Sequence, residues 1–419
     1  RGNTGQGETM SANANHSSPK QPLYDFSKAI DRKDISTLKW EMEIDRLGDP
    51  DILSFGTADM DFRSPPAVVE ALHRAVETGH FGYPYRKPSY YDALIGYLRR
   101  RFGWKVEKSW IDSCVAIYPS MFAIMAELTQ PGDEIIYQPP VHHVFMEIVE
   151  ANGRVPVANQ LIKRGDTYEM DFAGLEACIT ERTKLLLLCS PHNPVGRAWT
   201  RDELNELARI CSNHGIIVVS DEVYSGMLFA GTEFVPFAAV SEWAAMNSYC
   251  LMSPSKPFNL TGLKHSIVIT PNPVLQEDLR RGLVVGNLKY GGSVLGYAAA
   301  EAAFRDCDDW SEALMQHIAD NHAYVSDFIR SFLPEVTLSK AEAAYFAWLD
   351  LSALNTPKAV YEELIEKKAK LIVTYGEFMG AGGENHIRIN LGTSRSVLEA
   401  GLRRLLSVLI PLTGRKLPE

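Results

Sequence analysis

The sequence predicts an α/β protein built on a large, mostly parallel sheet, followed by a smaller α+β domain. Apolar runs without alternation, such as residues 184–189 and 216–220, are typical of strands buried on both faces of a sheet. Helical patterns alternate with such runs from residue 67 to about residue 292. After about residue 295, long helical stretches and separated strand candidates indicate an α+β arrangement.

Each predicted element has a local signal. Pro66 starts the first amphipathic helix, in the first turn, where proline is favoured. Thr200 and Glu203 resemble a capping box at the start of a helix that runs to His214. In the first region, a further helix is predicted over 92–101 and buried strands over 133–137, 184–189, 216–220 and 266–269. In the second region, helices are predicted over 310–332, 357–368 and 396–410, and strands over 344–351, 371–374 and 386–391.

The predicted elements divide the chain into four parts. Residues 1–21 are polar and rich in Gly, Ser and Asn, so they cannot bury enough apolar surface to fold and are expected to be disordered. Residues 22–66 are expected to form an N-terminal arm and part of the small domain. Residues 67–294 are expected to form the large domain, and residues 295–419 the small C-terminal domain.

Composition excludes several classes of function. The formal net charge of −10 makes nucleic acid an unexpected partner. No apolar run is long enough to span a bilayer, and no secretory signal is visible near the N-terminus. The six cysteines are scattered, without a Cys-x-x-Cys pair, so we expect reduced thiols, a cytoplasmic location and no metal site.

Lys256 is the most informative residue of the chain. It follows the apolar residues 249–252 in the segment Ser-Pro-Ser-Lys-Pro-Phe-Asn, with Ser253 and Ser255 before it. The simple alternative is a surface lysine after a strand, but the position also suits a Schiff base beside a phosphate. The segments Ser-Pro-His-Asn-Pro-Val-Gly (190–196) and Ser-Asp-Glu-Val-Tyr (220–224) also follow apolar strand candidates. Together the three segments resemble the cofactor site of fold-type-I pyridoxal 5′-phosphate (PLP) enzymes.

That resemblance gives the central residues roles. Lys256 would form the Schiff base and, once displaced by substrate, move the α-proton as a general base. Asp221 would pair with the pyridinium nitrogen, which keeps the ring protonated and able to accept electrons. Asn193 and Tyr224 would donate hydrogen bonds to O3′ of the cofactor, although Asn193 also suits a simple turn before Pro194.

The cofactor phosphate is expected at a helix N-terminus, where free N–H groups and the helix dipole favour an anion. Ser120 and Met121 precede the helical stretch 122–128 and are the first candidates. Ser253, Ser255 and Lys264 are further candidates.

Arg388 is the candidate anchor for a substrate carboxylate. It lies in the middle of the strand predicted over 386–391. An inward-facing arginine needs an anion, and a planar guanidinium binds a carboxylate through two parallel hydrogen bonds. The alternative is an exposed face of the strand.

From about residue 31 to the C-terminus, the chain resembles the aminotransferase class I/II family. Within it, residues 36–41 (Ser-Thr-Leu-Lys-Trp-Glu), 58–62 (Ala-Asp-Met-Asp-Phe), 81–83 (Phe-Gly-Tyr) and 188–197 look like the cystathionine β-lyase branch of MalY/PatB type. The resemblance implies fold type I, with a seven-stranded type of sheet in the large PLP-binding domain. It also implies an enzyme whose small-molecule substrate is an L-amino acid.

The resemblance further implies a homodimer with active sites shared between the subunits. Tyr83 would reach the PLP phosphate of the partner subunit. Arg388 and Asn193 would bind the substrate, and the segment at Thr57 and Ala58 would close over it. Together with Lys256, we expect Tyr83 and a nearby histidine, His142, to take part in catalysis.

Three residues in the expected pocket depart from the branch. His142 stands where tyrosine usually stacks on the cofactor, so its imidazole could stack, act as an acid or base, or do both. Gly56 stands where tryptophan is usual, which opens space beside the substrate side chain. Tyr224 stands where histidine is frequent, while tyrosine there is typical of aminotransferases.

The leading functional hypothesis is α,β-elimination from cystathionine or another cysteine S-conjugate, giving thiol, pyruvate and ammonia. Transamination is the main alternative, because it shares the first steps and differs in where the proton returns. A specialised replacement or cyclisation reaction of biosynthesis also suits the altered pocket. A PLP-fold protein that serves only as a regulator or structural partner is a third class, although the residues for catalysis are all present.

Overall fold

The computed structural model describes residues 24–32 and 35–416. The segment predicted to be disordered, 1–21, lies outside the described residues. Over the described part, the α-helices are α1 Glu43–Leu47, α2 Pro66–Glu77, α3 Pro88–Phe102, α4 Ile117–Leu128, α5 Val144–Ala151, α6 Phe172–Cys178, α7 Arg201–His214, α8 Glu242–Met246, α9 Pro273–Val285, α10 Val294–Asp306, α11 Asp308–Phe332, α12 Lys358–Glu363 and α13 Arg395–Leu409. The strands are β1 Leu53–Ser54, β2 Ile111–Cys114, β3 Glu134–Tyr137, β4 Val155–Ala158, β5 Ile162–Arg164, β6 Thr167–Glu169, β7 Thr183–Cys189, β8 Ile217–Asp221, β9 Ser248–Met252, β10 Ser266–Ile269, β11 Thr337–Leu338, β12 Phe346–Asp350, β13 Leu371–Ile372, β14 Thr374–Tyr375 and β15 His386–Asn390.

The large sheet has seven strands in the order β2-β10-β9-β8-β7-β3-β4. Strand β10 is antiparallel to both of its neighbours, and the pairs from β9 through β4 are parallel. Strands β3, β9 and β10 are buried along their whole length. This confirms the prediction that apolar runs without alternation form strands covered on both faces. The capping box of Thr200 and Glu203 is also present at the start of α7.

The parallel strands bring the predicted motifs to one edge of the large sheet. In the register between β7 and β8, Cys189 lies opposite Asp221. The backbone N–H of Ser190 donates to the carbonyl of Asp221 at 2.9 Å, and the N–H of Glu222 donates to the carbonyl of Leu251 in β9 at 2.8 Å. The segments that follow these three strands are therefore neighbours, as expected for a site at the carboxyl ends of parallel strands.

A second sheet, antiparallel throughout, has the order β11-β12-β15-β14. Arg388 lies at its centre, opposite Trp348 on one side and Thr374 on the other. The short strand β1, near the start of the described chain, pairs in parallel with β13. The N-terminal arm therefore joins the C-terminal elements, and the exact domain boundaries stay a prediction.

In the C-terminal region, two predicted elements are each divided in the structure. The strand predicted over 371–374 is two short strands, because β13 pairs with β1 and β14 pairs with β15. The helix predicted over 357–368 is α12 followed by a π-helical segment, Leu364–Lys368. In residues 24–32 and 35–416, no helix combines the length and apolar character needed to cross a membrane.

Candidate active site

A cavity of about 200 Å³ opens where β7, β8 and β9 end. The segments after these strands supply one wall, and the N-terminal end of α4 supplies another. Its lining residues are Ala58, Val115, Ala116, Ile117, Tyr118, His142, Phe145, Cys189, Asn193, Asp221, Val223, Tyr224, Ser253, Ser255, Lys256, Thr261, Lys264 and His265. Most of the residues predicted to bind the cofactor therefore meet in one place.

Lys256 projects into this cavity from the loop after β9. Its Nζ donates a hydrogen bond to the backbone carbonyl of Ala58 at 2.6 Å. Burial lowers the pKa of Lys256 to about 8, and the nearby carboxylate of Asp59 opposes that shift. A larger fraction of this amine is therefore uncharged near neutral pH than in a lysine with the ordinary pKa of 10.5, as a nucleophile or general base requires.

Asp221 is the last residue of β8 and is buried. Its Oδ1 accepts a hydrogen bond from the backbone N–H of Val223 at 3.1 Å. Burial raises the pKa of Asp221 to about 7, while this hydrogen bond and the charge of Lys256 act in the opposite direction. A cation placed against this carboxylate would favour its ionised form.

Arg388 is buried in the middle of β15 and faces the cavity region rather than solvent. Its guanidinium donates to the side-chain oxygen of Asn193 at 2.8 Å and to the carbonyl of Gly56 at 3.0 Å, and it lies 4.2 Å from the centre of the Phe346 ring. Its Nε is buried without a hydrogen-bond partner, and none of the described carboxylates lies within 4.0 Å of it. The prediction of an inward-facing arginine is therefore correct, and the guanidinium retains capacity for an anion.

The candidates for the phosphate divide into two groups. Ser253, Ser255 and Lys264 line the cavity, and the Oγ atoms of Ser253 and Ser255 lie 2.8 Å apart. Ser120 does not line it, because its hydroxyl donates to the carbonyl of Ala116 at 2.9 Å and faces Ser266. Met121 is fully buried away from the cavity.

The helix start explains this difference. Helix α4 begins at Ile117, with Ala116 as its N-cap, so the helix starts five residues earlier than the predicted stretch 122–128. Residues 115–118 line the cavity in place of Ser120 and Met121. The first N–H groups of a helix have no partner within the helix, so this wall offers backbone donors to an anion.

His142 lies between two cavities. It lines the first cavity and also a second cavity beside Arg388. Gly56, Thr57 and His143 are among the other residues that line this second cavity. Its Nδ1 lies 3.0 Å from the hydroxyl of Tyr118. Burial lowers the pKa of His142 well below its usual value, and the charge of Arg388 adds to the shift. The imidazole is therefore neutral at physiological pH.

Tyr224 lines the first cavity, and its buried ring packs edge-on against Tyr345 at a centroid distance of 5.8 Å. Tyr83, in contrast, lies outside both cavities of its own chain and is 88% exposed. Its ring contacts Tyr290 at a centroid distance of 5.6 Å. Thr57 and Ala58 follow β1; Ala58 lines both cavities, and Thr57 lines the second one.

Sequence reasoning missed four of the polar or sulfur-bearing residues that line the first cavity: Tyr118, Cys189, Thr261 and His265. Cys189 ends β7, directly opposite Asp221, so strand register was the signal that could have found it. The signal for Tyr118 was the helix start, which no polar N-cap marks.

Comparisons with known proteins identify the class to which this fold and site belong. The family model for aminotransferase class I and II matches residues 50–405. The chain therefore belongs to this family, and the predicted family, fold class and PLP cofactor are confirmed.

Three known proteins are similar to this chain over most of its length. The chain is 35% identical to cystathionine β-lyase PatB of Bacillus subtilis, over 92% of this chain and 99% of that protein. It is 31% identical to the protein MalY of Escherichia coli, with the same two coverages. The structure of the PLP-bound C–S lyase from Staphylococcus hominis aligns with a TM-score of 0.86 at 27% identity, over 92% of this chain and 98% of that one.

Proposed function

We propose that this chain is a PLP-dependent carbon–sulfur β-lyase that cleaves L-cystathionine or another cysteine S-conjugate. The observation that carries the proposal is the buried amine of Lys256, in a cavity shared with Asp221 and Asn193. The likeness to PatB and to the C–S lyase of S. hominis favours β-elimination over other reactions of the family. For cystathionine, the balanced reaction consumes water and gives homocysteine, pyruvate and ammonia.

The side chains on the ring side of the cavity fit PLP. Asp221 would pair with the ring nitrogen, because a buried carboxylate needs a cation beside it to stay ionised. The side-chain oxygen of Asn193 already accepts a hydrogen bond from Arg388. The amide N–H groups of Asn193 therefore remain available to donate to the ring oxygen of PLP. Tyr224, buried in the same cavity, would be the second donor to that oxygen.

A second set of cavity residues fits the phosphate. Ser253, Ser255 and Lys264 line the cavity together with the start of α4. Hydroxyl groups, an ammonium group and free helix N–H groups are the donors that phosphate sites use. This arrangement supports the phosphate assignment for Ser253, Ser255 and Lys264, and it favours backbone groups near Tyr118 over the side chains of Ser120 and Met121.

When bound, PLP supplies an electron sink for negative charge at the substrate Cα. Arg388 would hold the substrate carboxylate, and the segment at Thr57 and Ala58 would cover it. The neutral amine of Lys256 would remove the proton from Cα, as its pKa of about 8 allows. The Cβ–S bond then breaks, the sulfur leaves as a thiolate, and water releases pyruvate and ammonia.

We also propose a cytoplasmic homodimer with shared active sites. Exposed aromatic and aliphatic side chains cluster near Tyr83, and Tyr85, Val284, Val285 and Tyr290 line a neighbouring groove. Apolar surface of this kind favours association with another protein surface. The cysteines of the described chain are free thiols, mostly buried, which supports a reducing compartment.

The test is an assay of purified protein with L-cystathionine and a panel of amino acids, without a keto acid. Pyruvate and free thiol are followed together with the absorbance of the cofactor. Continued release of both products is the expected result. An aminotransferase would instead stop after one stoichiometric change of the cofactor and would cycle only when a keto acid is added. That outcome would replace the lyase assignment and leave the PLP site unchanged.

A further inference from the structure

The carbonyl of Ala58 is the acceptor for the amine of Lys256. It accepts from Nζ of Lys256 at 2.6 Å and also from the hydroxyl of Tyr345 at 2.9 Å. The two residues in the first contact are 198 positions apart in sequence, so the contact depends on how residues 57–61 are held. A displacement of this segment would move the only backbone acceptor that Lys256 contacts within the described chain.

Hydrogen bonds to the end of β15 fix part of this segment. Nδ2 of Asn390 donates to the carbonyls of Thr57 and Asp59, at 2.8 and 2.7 Å. These two residues flank Ala58 in the sequence. The N–H of Asp61 donates to the carbonyl of Gly392 at 2.8 Å. Residues 57–61 are therefore tied to the end of β15, the strand that carries Arg388.

An ionic cluster fixes the other side of the segment. The Arg32 guanidinium donates to both oxygens of Asp59, at 2.8 and 3.0 Å, and to Oδ1 of Asp61 at 2.9 Å. Lys39 donates to the same Oδ1 at 3.1 Å and to the carbonyl of Asp59 at 3.3 Å. The indole N–H of Trp40 also donates to Oδ1 of Asp61, at 3.0 Å.

Three members of the cluster, Arg32, Lys39 and Asp61, lie too deep to touch a substrate. Lys39 is fully buried and Asp61 nearly so, and neither lines either of the two cavities of the site. Its charges balance, because two cations meet two carboxylates, which is the condition under which buried charges are retained. The contacts to Asp59 and Asp61 hold the backbone of this segment in one conformation, and Ala58 directly precedes Asp59.

We propose that Arg32, Lys39 and Asp61 are positioning residues for catalysis, and that they hold the Ala58 carbonyl where it keeps the free amine of Lys256 in place. The proposal rests on the PLP-dependent function proposed above. The motif pair 36–41 and 58–62 then has a physical meaning, because Lys39 and Trp40 of the first bind Asp61 of the second.

The test compares Lys39→Met and Trp40→Phe with the parent enzyme. Lys39→Met removes one cation, whereas Trp40→Phe removes a single N–H and leaves the charges unchanged. Lys163→Met is the matched control, since it breaks a partly buried ion pair with Asp350 outside the site. The readouts are hydrogen exchange of residues 55–62, kcat and KM, and the pH dependence of PLP capture by the apo protein.

Both test variants should exchange faster over residues 55–62 and lose kcat, about five- to tenfold for Lys39→Met and less for Trp40→Phe. KM should change far less. In Trp40→Phe, the midpoint of PLP capture should move to lower pH, because a displaced Ala58 carbonyl stabilises the ammonium form of Lys256 less. The control should retain the parent kcat and midpoint.

A different pattern would overturn the proposal. The two test variants would then have lower thermal stability, but below the unfolding temperature their kcat and their midpoint of PLP capture would equal those of the parent. If Lys39→Met does not fold, Trp40→Phe alone decides between these patterns. Hydrogen exchange and PLP capture need no β-elimination. If the parent enzyme proved to be an aminotransferase, these two readouts would still test the positioning role separately.

Discussion

Arg388 donates a hydrogen bond to the side-chain oxygen of Asn193 at 2.8 Å, across 195 positions of sequence. The contact joins the anchor proposed for the substrate carboxylate to a residue proposed to bind the cofactor ring. It also sets the orientation of the Asn193 amide, whose N–H groups are then directed away from the arginine. A change at either residue should therefore affect both substrate binding and the cofactor.

Arg388→Lys tests this link. Lysine keeps the positive charge but lacks the planar fork that binds a carboxylate and Asn193 together. We expect kcat/KM for amino acid substrates to fall about 100-fold, mainly through KM, with PLP retained. We also expect a shift in the absorbance of bound PLP, because Asn193 loses its fixed orientation. An unchanged KM would remove Arg388 from carboxylate binding.

The pH dependence of PLP capture follows from Lys256. Only the neutral amine attacks the aldehyde, and the pKa of Lys256 is lowered to about 8. The amine is mostly protonated below that pH and mostly neutral above it. The rate of PLP capture by the apo protein should therefore rise with pH, with its midpoint at about pH 8. Stopped-flow absorbance measures this rate, and a midpoint near the ordinary lysine value of 10.5 would contradict the buried environment.

The sequence predicted Lys256, Asp221, Asn193 and Arg388 because each belongs to a short segment at the end or centre of an apolar strand. Strand burial is readable locally, so the position of such residues at a sheet edge is also readable. The start of α4 could not be predicted in this way, because its N-cap residue, Ala116, has no polar side chain to mark the position. Contacts such as that between Lys39 and Asp61 depend on tertiary packing, which no local pattern encodes.

His142→Tyr tests whether His142 selects substrates. The pKa of His142 lies well below 6.5, so its imidazole stays neutral above that pH. Replacing it removes no group that titrates in the working range, and the pH profile of kcat/KM should not change. Substrate preference should change, because the residue lies between the two cavities. Tyr118→Phe serves as a comparison, since it removes the partner of Nδ1 and leaves the imidazole in place. The loss of a limb from the parent's pH profile in His142→Tyr would show that the histidine acts as an acid or base.

Tyr83 tests the shared active site. It is exposed in its own chain and lies outside the cavity that holds Lys256. If it completes the site of a partner subunit, Tyr83→Ala and Lys256→Ala should each be nearly inactive alone. After mixing and subunit exchange, about a quarter of parental activity should return, because half of the subunits pair as heterodimers with one intact site each. Light scattering should report a dimer for both variants. A dimer without recovered activity would keep the assembly but remove Tyr83 from the partner's site.

Gly56→Trp tests the size of the substrate side chain. A Cβ at this position would lie 3.3 Å from Cγ2 of Ile372, which lines the second cavity together with Val373 and Phe378. Tryptophan should therefore fill that cavity and lower kcat/KM for bulky cysteine S-conjugates at least about tenfold, with a much smaller loss for S-methylcysteine. Gly56→Ala is the control, because it adds the Cβ without the ring. The carbonyl of Gly56 also accepts from Arg388, so a displaced backbone would weaken carboxylate binding for every substrate alike. A uniform loss across the panel would therefore assign Gly56 to the support of Arg388 and not to the space beside the substrate side chain.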